Sequence, residues 1–179
     1  DAIETPFGKK DKIVGGAATY IALAASQFNV DSAIVSVVGG DFPKSYLEFL
    51  ETKNIDTSGI QVIPNGKTFF WSGRYHEDMN SRDTLVTDLN VLADFDPKVP
   101  DSYQGAEFLM LGNLAPKIQL NVIQELKHRP KLIAMDTMNF WMDVAMSDLK
   151  IVLKYIDMLI VNDAEARQLT GLFSLVKAA

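Results

Sequence analysis

Beyond residue 100 the sequence alternates short apolar runs with segments of helical periodicity, and no other feature restricts the fold as strongly. Glu107–Leu111, Lys131–Met135 and Asp157–Val161 read as strands. Pro116–His128, Ser147–Tyr155 and Asp163–Thr170 read as helices. Pro116 suits a first helical turn, and Leu120, Ile123 and Leu126 recur at helical spacing. Ser147 is the expected N-cap of the second helix, which turns Leu149, Val152 and Leu153 to one side. Gly171 closes the third. Strands joined through helices run parallel, because a tight turn can connect only antiparallel neighbours. The expected class is α/β, with helices flanking a parallel sheet.

The first 60 residues follow a similar pattern. Gly16–Ser26 reads as an alanine-rich helix and Ser32–Val38 as a buried strand. Asp41 can cap a helix from about Pro43 to Lys53 that turns Tyr46, Leu47, Phe49 and Leu50 inward. Residues 60–87 differ. Ile60–Ile63 and Lys67–Tyr75, separated by Pro64-Asn65-Gly66, predict a hairpin, since Asn-Gly supplies the positive φ of a tight turn. Thr84–Thr87 can add a strand. The aromatics of this insert, Phe69, Phe70, Trp71 and Tyr75, exceed what a small sheet buries inside itself. One face is therefore expected to cover the main domain, a ligand or another subunit. No strand is predicted before Gly15, and Ser174–Ala179 resembles the first turns of a helix, so the chain is expected to be a piece of a longer one.

Composition narrows the function. A length of 179 residues suits one domain, on a prior of about 100–200 residues each. With 47% hydrophobic and 22% charged residues the chain is globular in composition. It has no cysteine, which removes thiolate catalysis and cysteine-ligated zinc and fits a reducing cytoplasm. His76 and His128 lie too far apart in sequence to suggest a histidine metal cluster. The net charge of −6 and the lack of a basic stripe beyond Lys9, Lys10 and Lys12 argue against a nucleic-acid partner. No apolar run approaches the ~20 residues of a membrane span, and no signal peptide is evident.

In open parallel sheets, ligands sit beyond the carboxyl ends of the strands. Gly39-Gly40-Asp41, Gly112-Asn113, Asp136 with Asn139, and Asn162, Asp163 and Glu165 all follow predicted strands. Such residues form a polar crevice, or simply make good turns and caps. Gly15-Gly16 opens the first helix, where glycine permits close approach of a ligand or a tight turn into the helix. Its spacing lacks the three glycines of a nicotinamide-dinucleotide fingerprint. Asn162 and Glu165, three apart, fit a capping box, which the segment alone favours. They also suit Mg²⁺ reached through water, since Mg²⁺ prefers oxygen ligands and retains much of its hydration shell.

Gly15-Gly16 before an alanine-rich helix, Val38-Gly39-Gly40-Asp41, Asp136-Thr137-Met138-Asn139, and Asn162-Asp163-Ala164-Glu165 ending in Leu169-Thr170-Gly171 together resemble the ribokinase, or PfkB, family of carbohydrate and nucleoside kinases. The resemblance covers nearly the whole chain and the N-terminal part of the family's length. It implies a Rossmann-like parallel sheet with flanking helices plus a small antiparallel β-lid. Residues 1–179 would form one incomplete domain, truncated at both ends, with the lid at about 60–87 and Lys9–Val14 as a candidate further part of it. Asp1 matches the aspartate that binds substrate hydroxyls, and Gly15 and Gly16 match the pair lying against the substrate. Tyr20 and Asn113 join that substrate group. Asp136, Asn139, Asn162 and Glu165 fall on the side of ATP and Mg²⁺, with Glu165 reaching the metal through water. The lid closes over the acceptor and in this family often pairs with a second subunit, which implies a homodimer contact.

Two departures stand out. Tyr20 occupies a position where the family commonly has asparagine, which bears on the identity of the acceptor. The family's Gly-Ala-Gly-Asp segment, with the catalytic base and an anion hole of backbone amides, has no counterpart in residues 1–179. Phosphoryl transfer depends on positioning, charge stabilisation and a group to accept the hydroxyl proton. The expectation is a full-length cytoplasmic kinase that phosphorylates a hydroxyl of a small sugar or nucleoside, with residues 1–179 inactive alone. The alternative is a non-catalytic small-molecule-binding or regulatory relative on the same fold.

Overall fold

A computed structural model describes residues 1–79 and 81–179, and residue 80, inside the predicted insert, lies outside the described residues. The chain divides into two units, Asp1–Phe95 and Asp96–Ala179.

The first unit opens with strands β1 (Ala2–Thr5) and β2 (Gly8–Lys10), so two strands precede Gly15 where none was expected. They form because Thr5 Oγ1 accepts from the Phe7 N–H at 3.1 Å and Gly8 takes a φ of 148°, which turns the chain back in four residues. Helix α1 (Ala17–Ser26) follows. The predicted strand over Ser32–Val38 is instead two short ones, β3 (Ser32–Ala33) and β4 (Ser36–Gly39). The break has a partner-side cause. After helix α2 (Lys44–Glu51) the chain forms β5 (Ile55–Asp56) and β6 (Ile60–Ile63), interrupted by a turn, and β3 pairs parallel with β5 while β4 pairs parallel with β6.

Helix α2 starts after Pro43, and Asp41 does not cap it. The Asp41 carboxylate accepts instead from Thr68, from N–H at 2.8 Å and from the hydroxyl at 2.7 Å. Leu50 enters the core with Ala22, Ile34 and Ile55. Tyr46 and Phe49, expected inside, remain 37% and 43% exposed. They lie on a neighbouring helical stripe, stacked edge-to-face with each other and, through Tyr46, with Phe42.

The predicted hairpin is also displaced. Pro64-Asn65-Gly66 makes a turn, but neither Asn65 nor Gly66 has positive φ. Strand β6 pairs with β4, and the hairpin joins β7 (Phe70–Tyr75) to β8 (Arg82–Asp88). Strand β7 also pairs parallel with β1, giving a four-stranded sheet in the order β2-β1-β7-β8. A β-carbon on Gly73 would lie 2.0 Å from Trp71 Cη2, so the Trp71 ring covers that glycine.

The second unit is a three-stranded parallel sheet ordered β11-β10-β9, from β9 (Phe108–Leu111), β10 (Leu132–Asp136) and β11 (Met158–Ile160). Helix α3 (Pro116–Glu125) ends three residues earlier than predicted, because Leu126 is extended. Its buried residues are Pro116, Gln119 and Val122, and Leu120 and Ile123 are only partly buried. Helices α4 (Asn139–Val144) and α5 (Met146–Val152) meet at Ala145, whose φ of −142° and ψ of 31° end one and start the other. Ser147 is therefore inside α5 and is not its N-cap. Leu149 and Val152 are wholly buried, packed with Leu111, Val122, Ile133, Met135 and Met142. Helix α6 (Asp163–Thr170) starts at Asn162 and ends at Gly171, which has φ 71°. Helix α7 (Leu175–Ala178) follows. No helix among the described residues is long and apolar enough to cross a membrane.

Candidate active site

In the first unit, Asp1 is drawn against Gly15. Asp1 and Ile13 exchange main-chain hydrogen bonds, Ile13 N–H to Asp1 O at 3.0 Å and the Asp1 amino group to Ile13 O at 2.9 Å. The Asp1 Oδ1 accepts from the Trp71 N–H at 3.1 Å. A β-carbon on Gly15 would sit 1.8 Å from Asp1 Oδ2, so this carboxylate requires a glycine there. Gly16 is required for a different reason: its φ of 91° at the N-cap of α1 disfavours any side chain, although the space beside it is open. Tyr20 stays near by through a long bond from its hydroxyl to Val14 O at 3.4 Å, with 61% of its surface exposed. Four predicted residues thus share one corner of this unit, with the Trp71 amide as a partner that no local sequence signal announced.

The loop after β4 is occupied by the fold itself. A β-carbon on Gly39 would meet Gly66 O at 2.4 Å, and one on Gly40 would meet Pro64 O at 2.1 Å. Thr68 Oγ1 accepts from the Gly39 N–H at 3.0 Å while it donates to Asp41. Residues 64–68 therefore lie directly on this loop.

In the second unit, parallel pairing brings three strand ends to one rim, with Met135 beside Leu111 and Asp136 beside Ile160. Gln119, 1% exposed, ties two of them: its Nε2 donates to Gly112 O at 2.8 Å and to Asp136 O at 2.9 Å. Gln119 was not singled out in the sequence, although an amide in register with Pro116 and Val122 on a buried stripe is a signal that could have found it. Asn162 and Glu165 form the capping box: Asn162 Oδ1 accepts from the Glu165 N–H and Glu165 Oε2 from the Asn162 N–H, each at 2.9 Å. Such a cap contributes about 1 kcal/mol. It also holds the Glu165 carboxylate at the rim with 5% of the residue exposed.

Asp136 is half-buried, and its carboxyl is pushed up from the usual carboxylate range, first by burial and then by the nearby Glu165 charge, against a smaller opposing contribution from the Thr137 N–H. The Asp136 and Glu165 carboxylates repel each other at this rim. A divalent cation would relieve that repulsion, so the donor set fits Mg²⁺. Among the described residues no three His, Cys, Asp or Glu side chains gather as a cage, so such an ion would keep water ligands.

Asn113 and Asn139 do not bond each other. Asn113 Oδ1 accepts from Trp141 Nε1 at 2.8 Å. Asn139 donates to Gln168 Oε1, and Gln168 Nε2 donates to Asp143 Oδ1 at 2.7 Å, which ties α4 to α6. Trp141, Gln168 and Asp143 carried no sequence signal for these roles, because each partner lies 25 to 29 residues away.

Residues 8–178 match the family described as pfkB family carbohydrate kinase. The chain belongs to this family. The cytidine kinase of Thermococcus kodakarensis is 28% identical over 181 residues, which cover 100% of this chain and 64% of that protein. The Burkholderia thailandensis nucleoside kinase in complex with inosine matches with a TM-score of 0.78 at 16% identity, covering 99% of this chain and 63% of that one. The Methanocaldococcus jannaschii nucleoside kinase, an archaeal member of the ribokinase family, matches with a TM-score of 0.71 at 17% identity over 99% and 62%. This PfkB chain therefore has the ribokinase-like α/β fold, and it spans under two thirds of the length of these relatives.

Proposed function

We propose that the full-length protein transfers the γ-phosphoryl group of ATP to a hydroxyl of a small sugar or nucleoside. The observation that carries this reading is the rim of the second unit, where Asn113, Asp136, Asn162 and Glu165 follow three adjacent parallel strands in a chain of the PfkB family. All three relatives named above act on nucleosides by name, which supports a nucleoside as the acceptor. In this reading Asp1 accepts hydrogen bonds from acceptor hydroxyls, Gly15 and Gly16 let the backbone approach the acceptor, and Tyr20 and, in the second unit, Asn113 are assigned to acceptor binding. Asp136, Asn139, Asn162 and Glu165 serve the nucleotide side. Asp136 and Glu165 would hold Mg²⁺ through water, which supplies charge neutralisation on the phosphates. The two units belong to one ribokinase-like domain in this proposal, the four-stranded sheet serves as its lid and dimer contact, and the protein works in the cytoplasm without a nucleic-acid or membrane partner.

ADP release measured over a panel of sugars and nucleosides with ATP and Mg²⁺ tests the proposal. Turnover by the full-length protein, and none by residues 1–179, is expected, because no Gly-x-Gly-Asp segment occurs in those residues. ADP release no faster with any acceptor than without one would sink the kinase and leave the non-catalytic binder.

A further inference from the structure

An indole has one polar hydrogen and no lone pair to offer, so it acts only as a donor. Trp141 Nε1 lies 2.8 Å from the Asn113 side chain, and the atom facing it must be the amide oxygen. The Asn113 NH₂ group is thereby turned the other way, and among the described residues nothing accepts from it. The arrangement is braced. Phe140 packs edge-on against the Trp141 ring, 4.9 Å between centroids at an interplanar angle of 71°. Helix α4, which carries both aromatics, is tied to α6 through Asn139, Gln168 and Asp143.

We infer that Trp141 is a positioning residue that holds Asn113 as a donor-only contact for an oxygen atom of the acceptor. The inference rests on the kinase reading above. Without Trp141 the amide could present either end, and half of its orientations would set a carbonyl against the acceptor oxygen. The contact lies on the acceptor's binding and not on its reacting atom, so losing it raises KM with little change in kcat.

The test uses ¹⁵N-labelled full-length protein, with cytidine and ribose as probes, and the variants Trp141→Phe and Asn113→Asp. Asn113→Asp keeps an oxygen for the indole but offers no donor. Binding of cytidine or ribose is expected to shift both Asn113 NH₂ resonances. Trp141→Phe is expected to abolish that shift and to raise the acceptor KM about tenfold, with kcat within about twofold. Asn113→Asp should leave the Trp141 indole signal hydrogen-bonded and raise KM at least as much. That second variant decides the matter if Trp141→Phe fails to fold. Resonances that neither probe moves, or variants with the parent KM, overturn the inference. Absence of ADP release with every acceptor defeats the kinase reading separately, because the resonances still report on the amide.

Discussion

Two aspartates follow parallel strands of this chain, Asp41 after β4 and Asp136 at the end of β10, and their carboxyl groups are displaced in opposite directions. Asp41 is held below the usual carboxylate range, chiefly by the Thr68 hydroxyl. Asp136 is held above it, chiefly by burial. A carboxylate with its hydrogen bonds made is part of the scaffold. One that is buried and left beside another carboxylate is disfavoured in the charged form and persists only if something else requires it. The glycines agree with this division. Gly39 and Gly40 are needed because residues 64–68 cross them, whereas Gly15 is needed because the Asp1 carboxylate lies against it.

Four experiments break or sharpen that contrast. The largest effect is on activity: Asp136→Asn in the full-length protein is expected to lower kcat about 100-fold, and Asp41→Asn less than about twofold. Equal losses in ADP release from the two variants would erase the distinction. Next, Gly40→Ala forces a β-carbon to within 2.1 Å of the Pro64 carbonyl oxygen. It should destabilise by about 3 kcal/mol in urea unfolding. An unchanged midpoint would show that residues 64–68 do not press on this loop.

Third, Asp41→Asn should cost about 1 kcal/mol near neutral pH, a modest value because the site is exposed and screened. The folded-state pKa is lowered, so this stability is present above the unfolded pKa and is lost as pH falls through the folded one. Melting curves of parent and variant should therefore converge in acid. Fourth and smallest, Asp136→Asn should stabilise the apo protein at pH 7 by about 0.5–1 kcal/mol, as removal of a disfavoured functional charge commonly does. Its pKa is raised, so the parent has full stability below the unfolded value and loses some as pH rises through the folded value. The gain should vanish in acid, and a gain that persists there would assign it to something other than the carboxylate.

Much of the second unit is legible in its sequence. The spacing of Asn162 and Glu165, the stop at Gly171 and the apolar pair Leu149 and Val152 each depend on residues within about one helical turn. The alternation of strands and helices likewise required parallel pairing. The helix after β10 was harder, because the break at Ala145 has no sequence marker and displaces the expected cap at Ser147.

The remainder depended on distant partners. Pro64-Asn65-Gly66 announces a turn, yet a turn signal does not say which strand the chain pairs with next, and β6 joins β4 while β7 joins β8 and β1. The same limit applies to side chains: the Trp71 amide bonds an aspartate 70 residues away, and the Trp141 indole bonds an asparagine 28 residues away. Capping, helical stripes and the strand–helix rhythm are short-range and so were written in the order of residues. Pairing register and the orientation of the Asn113 amide emerge only once the chain closes on itself, because the groups that set them are not neighbours along it.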